Sequence, residues 1–133
     1  MNTLKLFTII LCTIISTSAL KAESVILPFD VEIDGQTAEI AHENALFGTI
    51  KLPVAADAKL TAKIETQMLI INVFPCDGKG IPTAGAAPAI IMAQGSNETT
   101  LANTMDKKAL KPGTYIANIV ASGKTSRVFF TVK

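Results

Sequence analysis

Apolar and polar residues alternate most regularly near the end of the chain, and the pattern there predicts a β-hairpin. Residues 114–121 are apolar and β-branched enough for a strand, and residues 125–133 form a second segment with a two-residue period. Ser122-Gly123 between them is typical of a two-residue hairpin turn. The alternation assigns three side chains to a buried face: Val128, Phe130 and Val132. Because a hairpin is marginally stable alone, the preceding residues must supply further strands.

Three earlier segments have the same period. Residues 25–34 predict a strand whose buried face carries Leu27, Phe29, Val31 and Ile33. Pro28 within it indicates an edge strand or a bulge, and Asp34-Gly35 predicts a tight turn that returns the chain through residues 36–40. Two further sets of residues each predict one half-buried strand face, namely Leu46, Ile50 and Leu52, and then Leu60, Ala62 and Ile64.

The most apolar segment lies in the middle of the chain. Residues 68–74, MLIINVF, are apolar at both parities and predict a central strand covered on both faces. Thr66-Gln67 before it is either a weak turn or the middle of one long bent strand. Residues 89–93 and 99–101 predict two short strands, and residues 102–110 predict a turn or one helical turn.

A glycine- and proline-rich segment, GKGIPTAGAAP, interrupts this pattern at residues 78–88. Its composition predicts a mobile loop without regular sheet pairing. Because binding residues are often carried by loops on a rigid scaffold, this segment is the predicted binding loop. The residues assigned to it are Gly78, Lys79, Gly80, Ile81, Pro82, Thr83 and Gly85.

The first 22 residues have the layout of a secretory signal peptide. Lys5 precedes an apolar run at residues 6–15, and small residues then offer cleavage after Ala22 or, as the rival site, after Ala19. The run is too short for a bilayer-spanning helix, and no later segment approaches that length. We expect an exported protein, located in the periplasm, on the cell surface or outside the cell, with no membrane span after cleavage.

The composition predicts one globular domain over residues 23–133. Hydrophobic residues make up 49% of the chain and its formal net charge is +1, which does not describe a disordered tail. Lysines are scattered and aromatic residues are few, so no nucleic-acid partner is expected. Cys76 would be alone after signal cleavage and could form no internal disulfide.

Many short strands and no long helix after the signal predict an all-β fold, an antiparallel β-sandwich. Residues 110–115, LKPGTY, resemble the approach to the penultimate strand of immunoglobulin-like and fibronectin type III-like domains. The resemblance implies about seven strands and a tyrosine corner, in which the hydroxyl of Tyr115 bonds back to the turn made by Pro112 and Gly113.

A second resemblance covers residues 60–133. The motifs Asp77-Gly78-Lys79, Pro112-Gly113-Thr114-Tyr115 and Gly123-Lys124-Thr125 are similar to those of small secreted immunoglobulin-like domains common in Bacteroidetes. They are also similar to those of the C-terminal sorting domains of type 9 secretion cargo. This chain lacks an Asn-Pro element before Leu60, and it has too few residues ahead of that point for a separate cargo.

Three acidic residues, Asp30, Glu32 and Asp34, form the one candidate cation site. Hard cations prefer several carboxylate oxygens, but the twelfth position from Asp30 is Ala41, where a calcium loop needs Glu. Carboxylates at alternate positions of a strand also lie roughly 7 Å apart, so another loop would have to bring them together. A solvated strand face is the competing interpretation.

Other chemistry is sparsely represented. Cys76 and His42 could form a nucleophile and a base only if the fold brings them together, and a thiol at a strand end is the simpler interpretation. Met68, Met92 and Met105 lack the spacing of a copper site, and the two that fall in predicted strands are expected in the core. Asn97-Glu98-Thr99 is a glycosylation acceptor only in a eukaryote.

The sequence therefore predicts a secreted protein without catalytic residues or a cofactor. We expect a binding or adhesion module for a protein or glycan, acting through the 78–88 loop or an exposed strand edge. The alternative is a structural or secretion-linked accessory subunit of a surface assembly.

Overall fold

The C-terminal hairpin of the computed structural model agrees with the alternation of the sequence. The model describes residues 25–133, and the predicted signal peptide with both cleavage points lies outside them. Ten strands are present in the described part: β1 (Val31–Ile33), β2 (Gln36–Thr37), β3 (Glu39–Ile40), β4 (Gly48–Thr49), β5 (Lys59–Ala62), β6 (Met68–Pro75), β7 (Ala89–Gln94), β8 (Glu98–Thr100), β9 (Gly113–Ala121) and β10 (Lys124–Val132). The expected all-β class is confirmed, since residues 25–133 contain no helix.

The strands form two sheets. One has four strands in the order β2-β1-β5-β8, and the other has six in the order β3-β4-β10-β9-β6-β7. Strands β9 and β10 pair over nine residues, and the turn between them places Ser122 and Gly123 at φ +50° and +74°. Such positive φ angles are typical of the hairpin turn that the Ser-Gly pair predicts. Residues 25–133 contain no helix, and therefore no helix that is long and apolar enough to span a membrane.

The inner faces of the two sheets share one hydrophobic core. Alternate residues of β1 and β5 enter it from the smaller sheet, and alternate residues of β6, β9 and β10 enter it from the larger one. Val128, Phe130 and Val132 are all buried, as predicted, and the ring of Phe130 stacks on Tyr115 at 5.7 Å between centroids. Full burial of one such side chain stabilises the fold by about 1.5 to 3 kcal/mol.

The turn before β9 has the tyrosine hydrogen bond that the LKPGTY motif implies. The hydroxyl of Tyr115 donates to the carbonyl oxygen of Lys111 at 2.6 Å, and Gly113 opens the strand at φ +152°. Burial raises the pKa of Tyr115. The bond satisfies the polar end of a ring that lies against the core.

The N-terminal segment differs from its prediction in length and in path. The expected buried face is confirmed, because Leu27, Phe29, Val31 and Ile33 are at most 6% exposed, but only Val31–Ile33 is strand. After the Asp34-Gly35 turn the chain leaves β2 in one sheet and enters β3 in the other. Pro28 lies before the strand, where a missing N–H costs no ladder hydrogen bond.

The predicted shared face of Leu46, Ile50 and Leu52 is wrong. Ile50 is buried, but Leu46 and Leu52 are 72% and 66% exposed. The strand here is only Gly48–Thr49, so the two-residue period does not extend to either leucine. Strand β4 also pairs in parallel with β10, which corrects the expectation of a wholly antiparallel fold.

The outer edge of β10 is covered by three separate pieces of the N-terminal part. Arg127 N–H donates to Ile26 O, Ile50 N–H donates to Phe129 O, and Val54 N–H donates to Thr131 O. The buried Ser126 hydroxyl also donates to Phe29 O at 2.8 Å. These bonds tie the beginning of the described chain to its last strand.

Strand β6 is covered fully on one face only, which corrects the prediction of two covered faces. Leu69, Ile71 and Val73 are completely buried, whereas the alternate residues are half-buried. Methionine 92 on the neighbouring β7 is 42% exposed, so its expected place in the core is also wrong. The half-buried alternate residues of β6 and the exposed side chain of Met92 show that the outer face of the six-stranded sheet is only partly covered.

Candidate functional site

The predicted binding loop is an ordered turn in its first half. A bridge pairs Cys76 with Pro82, and the Asp77 carboxylate accepts the N–H groups of Lys79 and Ile81 at 2.8 and 3.0 Å. These two backbone donors lower the pKa of Asp77. The prediction that residues 78–88 hold no regular sheet pairing agrees with the structure, in which the segment contains no strand and one isolated bridge at Pro82.

Gly80 has a packing role within this loop. Its φ is +79°, and a Cβ built on it would lie 2.4 Å from the ring of Phe47. Phe47 in turn stacks on Phe129 at 5.4 Å between centroids. The loop thus covers one end of the outer face of the six-stranded sheet, and its exposed apolar residue is Ile81, at 59%.

The remaining loop residues point to no site. Gly78, Lys79, Pro82, Thr83 and Gly85 are all exposed, and nothing lies within 4 Å of an added Cβ at Gly78 or Gly85.

The three acidic residues of the cation hypothesis do not converge. Glu32 forms an ion pair with Lys63 at 2.5 Å, and Asp34 lies in the β1–β2 turn. Residues 25–133 contain no group of three or more His, Cys, Asp or Glu side chains placed to hold a metal ion. The geometry favours the solvated strand face.

Cys76 and His42 show no catalytic arrangement. Burial raises the pKa of the Cys76 thiol, which disfavours the reactive thiolate, and His42 is exposed. Thr114 donates its hydroxyl to the carbonyl oxygen of Cys76 at 2.6 Å, which fixes the strand end.

The outer face of the four-stranded sheet carries paired charges. Lys59 and Lys63 form ion pairs with Glu98 and Glu32 respectively. The hydrogen bond from Lys59 lowers the pKa of Glu98, and the hydrogen bond with Glu32 raises the pKa of Lys63. The two lysines of this face therefore have their counterions on the same face.

An open cleft of about 930 Å³ lies where the β5–β6, β7–β8 and β9–β10 connections meet. Its polar groups already serve the loops. Thr66 donates to Met68 O at 2.6 Å, Asn97 donates to Ala62 O at 2.8 Å, and Ser122 donates to Glu65 O. A cleft lined by such groups has few donors left for a ligand.

A second cavity, of about 540 Å³, lies on the outer face of the six-stranded sheet. Across its floor Asn72, Asn118 and Arg127 form one row, because Asn118 is the register partner of both other residues. Val25, Leu46 and Val120 contribute apolar walls. We call this space the outer-face cavity.

Arg127 distinguishes the outer-face cavity from the cleft. Its Nε atom is buried, and residues 25–133 supply neither a hydrogen-bond partner for it nor an acidic side chain to the lining of the cavity. None of the three ion pairs found in residues 25–133 includes this arginine. A buried donor without a partner costs about 1 to 3 kcal/mol, so an acceptor entering the cavity would recover that energy.

The sequence interpretation missed this site. Arg127 is the only arginine of the chain, and its parity in β10 is that of the outward residues Phe129 and Thr131. The sequence alone could therefore have drawn attention to Arg127 as a single outward-facing arginine. Asn72 and Asn118 become its neighbours only through strand register.

Comparisons with protein-family models, with curated protein sequences and with solved structures gave no match for this chain.

Proposed function

We propose that the chain is an exported immunoglobulin-like domain that binds a ligand without transforming it. Its strand order supports the first part: β1-β5-β8 corresponds to the A-B-E order of such domains, and β10-β9-β6-β7 to G-F-C-C′. The hydrogen bond from Tyr115 at the start of β9 agrees with a tyrosine corner on strand F. The signal-peptide pattern of residues 1–22 supports export.

The observation that carries the binding function is the unpartnered Nε atom of Arg127 in the outer-face cavity. A charged group held half-buried without a counterion is unfavourable in the free protein, and a ligand acceptor would remove the deficit. Exposed apolar side chains line the same cavity, namely Val25 at 98% and Leu46 at 72%. Apolar surface with a few convergent polar groups is typical of a binding site.

Affinity capture from the envelope and culture fractions of the source organism tests this function. The bait is the chain from residue 23, compared with Arg127→Gln and with Lys124→Gln, which removes a like charge from an exposed position of the same strand. We expect a partner that is retained by Lys124→Gln and lost with Arg127→Gln. A partner lost only with Ile81→Ser would place binding on the 78–88 loop, and no partner at all would contradict the proposal.

The edge of the six-stranded sheet favours a second candidate, the accessory subunit of an assembly. Strand β7 exposes Ile90 and Met92, and the described residues cover its outer edge through the bridge from Ile91 to Thr104 and one hydrogen bond, from Met105 N–H to Ile90 O. Exposed edges and apolar side chains are a route to strand addition. Light scattering after size-exclusion chromatography decides: an oligomer that Met92→Lys dissociates supports the assembly role, and a monomer contradicts it.

A further inference from the structure

We propose that the outer-face cavity recognises the C-terminal carboxylate of a peptide whose last residue is aliphatic. The inference rests on the proposed binding function and adds the class of ligand. It assigns the carboxylate to Arg127, the adjacent peptide groups to Asn72 and Asn118, and the aliphatic side chain to the apolar walls.

The charge of the cavity selects an anion. Among the described residues Arg127 is the only charged one that lines the cavity, and the Nε atom of its guanidinium is buried with no hydrogen-bond partner among them. A guanidinium presents its N–H groups as a planar fork, which matches the two oxygens of a carboxylate. A carboxylate would therefore supply both the missing acceptor and the missing counterion.

The row formed by Asn72, Asn118 and Arg127 determines how much of a peptide the site can contact. Asn72 and Asn118 are register partners on β6 and β9, and Arg127 faces Asn118 from β10. Neighbouring strands are about 4.8 Å apart, so the row extends over roughly 10 Å from Arg127 to Asn72. A side-chain amide both donates and accepts, which suits the N–H and C=O groups of a peptide that continues from its terminal carboxylate.

The walls favour a peptide over an acidic sugar. Val25 is 98% exposed, Leu46 is 72% exposed, and with Val120 they border the row on its apolar sides. A sugar carries hydroxyl groups around its ring, and burying them against aliphatic walls without partners is unfavourable. An aliphatic side chain gains from the same contact.

The single arginine provides a direct test by nuclear magnetic resonance. Its Nε–Hε group gives one signal, because the chain has no other arginine. The sample is the ¹⁵N-labelled chain from residue 23 with Glu23→Gln, which removes the chain's own carboxylate closest in sequence to the rim residue Val25. The probes are acetyl-glycyl-leucine with a free carboxylate, the same peptide as its C-terminal amide, and glucuronate.

We expect the free acid alone to shift the Arg127 Nε–Hε signal and the side-chain amide signals of Asn72 and Asn118, in a saturable manner. Arg127→Lys should weaken binding about tenfold, because the charge remains but the fork is lost. Arg127→Gln should abolish binding, whereas Lys124→Gln should leave it unchanged. The backbone spectrum of each variant verifies that it is folded.

Three outcomes would overturn the assignment. Equal binding of the amide would show that the carboxylate is not read, a shift with glucuronate alone would identify an acidic-sugar site, and an unchanged Arg127 signal would exclude the arginine. The affinity-capture experiment distinguishes failure of the proposed binding function from failure of the proposed ligand class. A partner that depends on Arg127 while no peptide binds leaves the binding function standing and refutes only the ligand class.

Discussion

The outward faces of the two sheets differ in whether their charged side chains are paired. On the four-stranded sheet, Lys59 and Lys63 are matched with Glu98 and Glu32. On the six-stranded sheet the outward residues are mostly apolar, and the one cation among them, Arg127, has no counterion in residues 25–133. The lysines of the first face are paired within the protein, whereas the second face carries one buried donor, the Nε atom of Arg127, without a partner in the described residues.

The largest test of this contrast is the truncation Ile116→Ala. Ile116 is 1% exposed although it points away from the main core, and its register partners are Phe74 and Phe129. Because these side chains form a packed layer on the outer face, we expect the free energy of unfolding to fall by about 2 to 4 kcal/mol in urea titration.

Thr61→Ala on the outer face of the other sheet is the control for Ile116→Ala. Its side chain bonds only to Glu98 at the surface, so the loss should stay within about 0.5 kcal/mol. Equal effects of the two substitutions would mean that the faces do not differ in packing.

Gly80→Ala tests whether the 78–88 loop belongs to the apolar layer. The added Cβ meets Phe47 at 2.4 Å and the residue is held at φ +79°, so we expect a loss of about 2 to 3 kcal/mol. Gly85→Ala has a similar φ of +77° with no atom within 4 Å, so only backbone strain of about 1 kcal/mol remains. Thermal unfolding measures both, and an equal loss would refute the contact with Phe47.

Arg127→Met should raise the free energy of unfolding by about 1 kcal/mol, because it removes a buried donor without a partner and keeps most of the side-chain volume. Lys63→Met, which breaks a surface ion pair on the other face, should bring no such gain. Chemical denaturation of the two variants compares them. Destabilisation by Arg127→Met would show that the guanidinium is already satisfied in the free protein.

The smallest expected effect is on the stability of the protein at acidic pH. The pKa of Glu98 is lowered, chiefly by its hydrogen bond from Lys59, so the folded state favours the carboxylate. Its stabilising contribution is present at neutral pH and is lost in the acidic range, as the pH falls below the ordinary glutamate value and through the lower folded-state pKa.

The melting temperature of Glu98→Gln should therefore decline less steeply in this range than that of the natural chain. Glu65→Gln is the control, because Glu65 is exposed and takes part in none of the ion pairs of residues 25–133. A slope unchanged by Glu98→Gln would remove Glu98 from the acid response.

Local patterns predicted the hairpin well, for a physical reason. The alternation around Val128 and Phe130 and the Ser122-Gly123 turn lie within one continuous segment, and each strand finds its partner next along the chain. Burial of Leu27 and Phe29 followed from the same two-residue period. The period failed at Leu46 and Leu52, where the strand is too short to carry it.

The candidate site could not be predicted in this way. Asn72 and Asn118 become neighbours only through the pairing of β6 with β9, and Leu46 comes to the rim from a loop of another part of the chain. Composition directed attention instead to the 78–88 loop, whose glycines are now explained in part by the contact of Gly80 with Phe47. Long-range register, rather than local propensity, assembled the cavity.

The backbone hydrogen bonds that join Ile26, Ile50 and Val54 to β10 also bear on the order of folding. These three residues precede β10 by about 75 to 100 positions, so they obtain their backbone partners only after β10 has been synthesised. Closing such long loops makes folding slow, and the growing chain stays extended for longer. Under the export that we propose, such late folding would keep the chain acceptable to a translocation channel, and it follows from strand pairing.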